Sequence, residues 1–193
     1  MKRNLQEVDD ATLCLNLWLT QGLILAIAAS CSLWLHGWDG TLGLFRLPLL
    51  SGVGWAAAAA TVVILTSIAM DRYLPSNWQD DGSINERIFG NMSTAGIVLV
   101  CVAVGFSEEW LFRGVIHPFA GNLWTSVIFT IVHTRYLRKP LLVISMFGTS
   151  WLLGLLFELE HSLWPPILAH IGIDLVLAMY LRYTIKRRQG EEL

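Results

Sequence analysis

Glu108 and Glu109 stand side by side, with Arg113 close behind, inside a run of otherwise apolar residues. Two further apolar stretches each carry a histidine, His133 and His170. Inserting an ionisable group into a membrane interior costs on the order of 2.5–3.5 kcal/mol by translocon scales, so such groups mark a cavity, a partner or a reaction. A carboxylate takes a proton from water, an imidazole accepts or donates one, and a positively charged group holds developing negative charge. These are the parts of a hydrolytic centre or of a proton relay.

Spacing sorts the parts. Glu109 and Arg113 are four residues apart in the favourable acid-before-base order for a helical pair. Glu108 points about 100° away from Glu109 around the same helix. The expected division is that Glu109 neutralises Arg113, leaving Glu108 to face a cavity as a general base. His170 and Asp174, also four apart, share one helix face, as an Asp-oriented imidazole or two metal ligands would. Each feature alone has a plainer reading: a Glu–Arg clamp between helices, a packing histidine closing Phe129–His133, a polar helix–helix contact.

The elements that must position these groups are membrane helices. The 193 residues are 54% hydrophobic and 15% charged with mean hydropathy +0.55, which excludes an ordinary soluble domain. A net charge of −2 leaves no electrostatic footprint for nucleic acid. Cys14, Cys31 and Cys101 sit in apolar stretches without metal or redox spacing and read as small buried hydrophobes. Six spans are expected, at about 13–35, 47–70, 94–117, 122–135, 140–160 and 163–181, the fourth of them short. The first reads as a retained span rather than a signal peptide, because Glu7, Asp9 and Asp10 offset Lys2 and Arg3. The polar 71–93 stretch is the one long loop, and the chain reads as a single membrane domain, 1–193.

Basic residues orient the bundle. With both termini on the cytoplasmic side, eleven of the thirteen Lys and Arg residues fall there, leaving Arg46 outside and Arg113 within the membrane. The third and fourth spans then form a hairpin turning near Pro118–Asn122. Glu108 and His133 both lie about 15 Å from that turn, and His170 about 10 Å below the turn at Ser162–Leu163. Three positions far apart in sequence therefore fall at similar depth, although the span assignment did not require it.

Three motifs carry a resemblance. Glu108-Glu109-Trp110-Leu111-Phe112-Arg113-Gly114 resembles an EExxxR motif, Phe129 to His133 an FxxxH motif, and His170 with Asp174 a His followed four residues later by Asn or Asp. In this order they resemble the CPBP intramembrane proteases, the CAAX protease and bacteriocin-processing family that includes Rce1-type prenyl-protein endopeptidases. The resemblance covers 94–181, leaving 1–93 as flanking helices and loop. It implies an all-α polytopic bundle with an intramembrane active-site cavity and hydrolysis of a peptide bond in a membrane-associated protein or peptide.

By that resemblance Glu108 and His133 activate water, His170 and Asp174 stabilise the oxyanion, and Glu109 and Arg113 support the site. Family members have been described both as metalloproteases and as metal-free glutamate-dependent enzymes. Without an HExxH motif the metal-free form is favoured; the zinc alternative would use His133, His170 and Glu108 or Asp174. Asp174 stands where Asn is common, and an ionised carboxylate there must be protonated, orient His170 as imidazolium, or ligate a metal. The rival readings are a non-catalytic bacteriocin self-immunity or scaffold protein on the same fold, and a small proton-coupled transporter, for which no inverted repeat is visible. The short form with no targeting extension looks like a bacterial cell-membrane protein.

Other polar residues receive quieter roles. His36, His117 and His161 are expected in loops or at the interface, and Glu158 and Glu160 near the outer headgroups. Ser150 and Gly154 read as a close-packing pair on the fifth span. Trp110 and Trp164 are the tryptophans expected to line the site.

Overall fold

The computed structural model describes residues 8–75, 78, 83–90 and 92–191, and these form helices and no strand. Lys2, Arg3 and Glu7, used above for orientation, lie outside the described residues. The helices are α1 (Asp10–Leu44), α2 (Leu50–Tyr73), α3 (Ile84–Phe89), α4 (Thr94–Glu109), α5 (His117–Val132), α6 (Pro140–Glu160) and α7 (Trp164–Glu191). A π-helical segment, Trp110–Ile116, joins α4 to α5 without a break. Five helical runs among the described residues are long and apolar enough to cross a membrane, Thr94–Val132 counting as one.

Two of these runs double back at glycines. Gly37 (φ 67, ψ −174) and Gly121 (φ 68, ψ 172) adopt backbone angles that residues with a Cβ avoid. In a straight helix residues 112 and 129 would lie about 25 Å apart; here their rings pack with centroids 4.8 Å apart. The expected hairpin is therefore present, its turn at Gly121. Its second arm, Asn122–Val132, is about 16 Å long and cannot cross the hydrocarbon alone. Likewise the Ser32 and Thr41 hydroxyls meet at 3.1 Å across the bend at Gly37, so the end of α1 dips back into the bundle. The sequence pattern did not anticipate that second reversal.

Small residues let the helices approach. Ala56, Ala59, Ala60 and Val63 of α2 pack on Leu153 and Leu156 of α6 and on Ala169 and Ile173 of α7. A Cβ on Gly105 would come within 2.7 Å of Ile171, so α4 and α7 touch nearly backbone to backbone. A Cβ on Gly154 would fall 1.9 Å from the Asn122 amide, which bonds the Trp151 carbonyl at 3.1 Å. The close-packing expectation for this stretch of α6 holds. Outward, large side chains such as Leu19, Leu23, Trp34, Leu65 and Ile144 are exposed, as a lipid-facing surface requires.

At one end of the bundle the polar 71–93 stretch contains α3, whose Arg87 pairs with Asp10 at 2.7 Å. Asp9 caps α1, accepting from the Thr12 amide at 2.9 Å and its hydroxyl at 2.7 Å, and these bonds hold its carboxyl below the usual carboxylate range. Ser93 caps α4 through the Gly96 amide.

Gly121→Ala should cost about 1–3 kcal/mol through backbone strain alone, since nothing lies within 4 Å of the added methyl. Gly148→Ala, equally unobstructed on α6, should be neutral or stabilising by up to about 1 kcal/mol. Equilibrium unfolding in detergent micelles compares the two; equal midpoints would refute the strained turn.

Candidate active site

Glu109 is the hub. Its Oε1 accepts from Arg113 Nη1 at 2.9 Å and from His170 Nδ1 at 2.7 Å. Arg113 Nη2 donates to the Ser150 carbonyl at 2.8 Å and to its hydroxyl at 3.0 Å, while the guanidinium lies 5.4 Å from the Phe129 ring centroid. Glu109 and Arg113 are fully buried. One ion pair thus fastens α4 and the π segment to α5, α6 and α7. The expected neutralisation of Arg113 by Glu109 is present; Ser150, read from sequence as a packing residue alone, proves also to be a ligand of the guanidinium.

Glu108 is turned away from this clamp and, with His133, His170 and Asp174, lines one cavity of about 480 Å³, a size typical of small-ligand sites. His133 ends α5, and its Nδ1 lies 2.7 Å from the Phe129 carbonyl. A carbonyl only accepts, so Nδ1 carries the hydrogen and a neutral ring keeps its Nε2 lone pair free. His170 Nε2 lies 3.5 Å from Asp174 Oδ2, a loose contact. The side chains of His133 and Asp174 are only partly buried, so both are accessible from the cavity.

The cavity opens at one end. Asn85 and Ile88 of α3, together with Arg135 and Tyr136, line its mouth, and Ser145, Met146, Thr149 and Leu153 give it a wall on α6. At the opposite end, the segment after α1 docks on the α6–α7 turn: the Leu163 amide donates to the Leu44 carbonyl at 2.8 Å, and the Trp164 indole to the Phe45 carbonyl at 2.8 Å. The Phe45 ring packs on Phe106, Trp110 and Trp164 with centroids 4.9–6.3 Å away. Trp110 and Trp164 therefore belong to this aromatic plug, and do not line the cavity as the sequence led us to expect.

Sequence reasoning missed three further contributors. Gln21 of α1 is buried beside Glu108 and Ser107. His36, expected in a loop, lies on α1, and its Nε2 is 2.8 Å from the Gly114 carbonyl. The π segment itself has i→i+5 bonding of the kind that recurs at functional sites; no residue pattern announces it. His117, expected at the interface, is buried and 3.1 Å from Glu158 Oε1.

The Nδ1 atoms of His133 and His170 face a backbone carbonyl and a carboxylate, contacts that a metal-bound imidazole would also make. Among the described residues no three His, Cys, Asp or Glu side chains converge closely enough to hold a metal ion.

Comparison with known proteins agrees with the motifs. The family model described as type II CAAX prenyl endopeptidase Rce1-like matches residues 90–176. Over 176 residues the chain is 38% identical to the Uncharacterized protein YpbD of Bacillus subtilis (strain 168), covering 90% of this chain and 93% of that protein. The chain belongs to the Rce1-like family. No solved structure matches it. The Rce1-like segment contains Glu108, Glu109, Arg113, His133, His170 and Asp174; the rest of the bundle supplies Gln21 and His36. Family membership and the apolar helices make this a multi-pass membrane protein of the Rce1-like type.

Removing the hub should cost far more than trimming its periphery. Glu109→Ala strands a buried guanidinium and should destabilise by about 3–5 kcal/mol. Ser150→Ala, which keeps the carbonyl acceptor, should cost about 1 kcal/mol. Denaturant titration in micelles measures both, and similar small losses would mean that the clamp is dispensable.

Proposed function

We propose that this protein is an intramembrane endopeptidase that cleaves a peptide bond of a membrane-associated protein or peptide. The observation that carries the proposal is the convergence of Glu108, His133, His170 and Asp174, from three separate helices, on one cavity. A base, an imidazole lone pair and an N–H donor around one cavity are what acyl hydrolysis needs.

In this reading Glu108 takes one proton from a water molecule while His133 Nε2 accepts a hydrogen bond from its other hydrogen. The water oxygen attacks the scissile carbonyl carbon, and the carbonyl π electrons move to oxygen. His170, fixed through Nδ1 by Glu109, turns its loosely held Nε2–H to that oxyanion. Asp174, 3.5 Å from that nitrogen, balances the imidazolium charge, which is one of the roles open to an Asp at this position. As the C–N bond breaks, Glu108 returns its proton to the leaving nitrogen, giving a carboxylic acid and an amine, which exchange a proton to leave as carboxylate and ammonium. Arg113 and Glu109 keep the parts in register and touch no substrate.

We place the protein in the cell membrane with both termini cytoplasmic, on the strength of the Lys and Arg distribution. The cavity mouth beside Asn85 and Arg135 then faces the cytoplasm, where a substrate's polar backbone can enter without crossing lipid.

Purified protein incubated with quenched membrane-peptide substrates provides the test. Glu108→Gln and His133→Ala should each lower turnover by at least roughly 100-fold, and a strong chelator should leave the wild type unaffected. Loss of activity in chelator, restored by zinc, would overturn the metal-free mechanism. Full turnover in Glu108→Gln would overturn the assignment of the base. A wild type that cleaves nothing, while Glu108→Gln keeps its cellular phenotype, would favour the self-immunity or scaffold reading.

A further inference from the structure

Gln21 lies on α1, outside the segment that matches the Rce1-like family, yet its side chain reaches the carboxylate proposed as the base. It is buried, and its Nε2 lies 3.5 Å from Glu108 Oε1. Its Oε1 lies 2.6 Å from Ser107 Oγ. Ser107 Oγ is in turn 2.7 Å from the Ala103 carbonyl, one helical turn back. A buried glutamine in a lipid-spanning helix is costly unless both ends of its amide are satisfied. Here each end has a partner, the Glu108 contact being the looser of the two, and the partners can exchange roles.

The serine carries one hydrogen but has three acceptors within reach, the Gln21 carbonyl and the backbone carbonyls of Ala103 and, at 3.3 Å, Val104. While Glu108 is ionised, Gln21 N–H donates to the carboxylate and Ser107 O–H donates to the Gln21 carbonyl. When Glu108 is protonated, its O–H needs an acceptor. Turning the Gln21 amide by half a rotation presents the carbonyl to Glu108 and the N–H to Ser107 Oγ. The serine hydrogen then moves to the Ala103 carbonyl, already at bonding distance. Each link of the Glu108–Gln21–Ser107 chain keeps one donor and one acceptor in both arrangements, and no proton leaves the network.

We propose that Gln21 is a positioning residue that holds Glu108 in both of its protonation states by rotating its side-chain amide, with Ser107 as the counter-partner. The inference rests on the reading of Glu108 as the base that gains and returns a proton. The other ionisable groups close to Glu108 are Glu109 and Arg113 on its own helical run and His170 and Asp174 on α7; His133 of α5 faces it across the cavity. None of these offers a neutral group able to both donate and accept at Glu108 without changing its own charge. Gln21 does.

The test is infrared difference spectroscopy of the full chain in lipid, titrated with pH, alongside peptide turnover. The carbonyl band of protonated Glu108 is identified by its loss in Glu108→Gln. In Gln21→Met, which keeps the side chain's length but removes its polar atoms, that band should move to higher wavenumber as its hydrogen bond is lost. Turnover in the same variant should fall roughly 10- to 100-fold in kcat with KM held within about twofold. Ser107→Ala should move the band in the same direction by less, and it carries the test if Gln21→Met fails to fold. A band unmoved in the folded variants overturns the proposal, whatever the activity. A shifted band in a wild type that cleaves no peptide upholds the amide switch and overturns the endopeptidase reading instead.

Discussion

The whole bundle is organised around one charge that has nowhere to go. Arg113 is fully buried among apolar helices, and a guanidinium there needs a counter-charge and close acceptors; its two Nη atoms find them, while its Nε has no partner among the described residues. Glu109 supplies the charge and Ser150 the acceptors. Because these partners come from different elements, satisfying Arg113 fixes α6 against the π segment, and the shared Glu109 oxygen fixes His170 of α7. The orientation of His170 is therefore a by-product of solving an electrostatic problem one helix away. Glu108, the neighbour that does not take part, is left on the cavity wall beside Gln21.

Close backbone approach makes that solution geometrically available. α7 could not bring His170 to Glu109 if Gly105 bore a side chain, since Ile171 occupies the space. The hairpin at Gly121 returns Phe129 to the level of Phe112 and Arg113, and Asn122 fills the notch left by Gly154. Glycines here serve two distinct ends, backbone reversal at Gly121 and helix contact at Gly105 and Gly154. The π segment fits the same logic. It contains Gly114, where Trp110 and Leu44 leave little room for a Cβ and where the carbonyl is met by His36.

Much of this was legible from residue type and spacing, because charge in an apolar stretch is a loud signal. The Glu109–Arg113 pairing, the helix face shared by His170 and Asp174, and the hairpin between the third and fourth segments all follow from periodicity and cost. What stayed hidden is neutral or backbone-borne. Gln21 and Ser107 carry no charge, and a single amide among apolar neighbours resembles a tolerated blemish. Ser150 reads as a small packing residue because its carbonyl, the nearer of its two contacts to Arg113, belongs to the backbone. The bend at Gly37 leaves no trace in hydropathy, since both of its arms are apolar. Trp110 and Trp164 were misplaced for a related reason: aromatic residues suit a cavity wall and a plug equally, and only the docking of Phe45 between them decides the matter.

The plug has a consequence of another kind. Its anchor at Trp164 and Leu181, which lines the cavity, are separated by about 25 Å along α7, so the cavity takes up only part of the layer and none of the four packed rings lines it. A membrane that carries a voltage drops it across whatever stays dry. Water in the cavity would sit near the potential of the mouth side, and the field would concentrate across Phe45, Phe106, Trp110 and Trp164. With such a voltage the aromatic cluster would be the dry layer across which most of it falls.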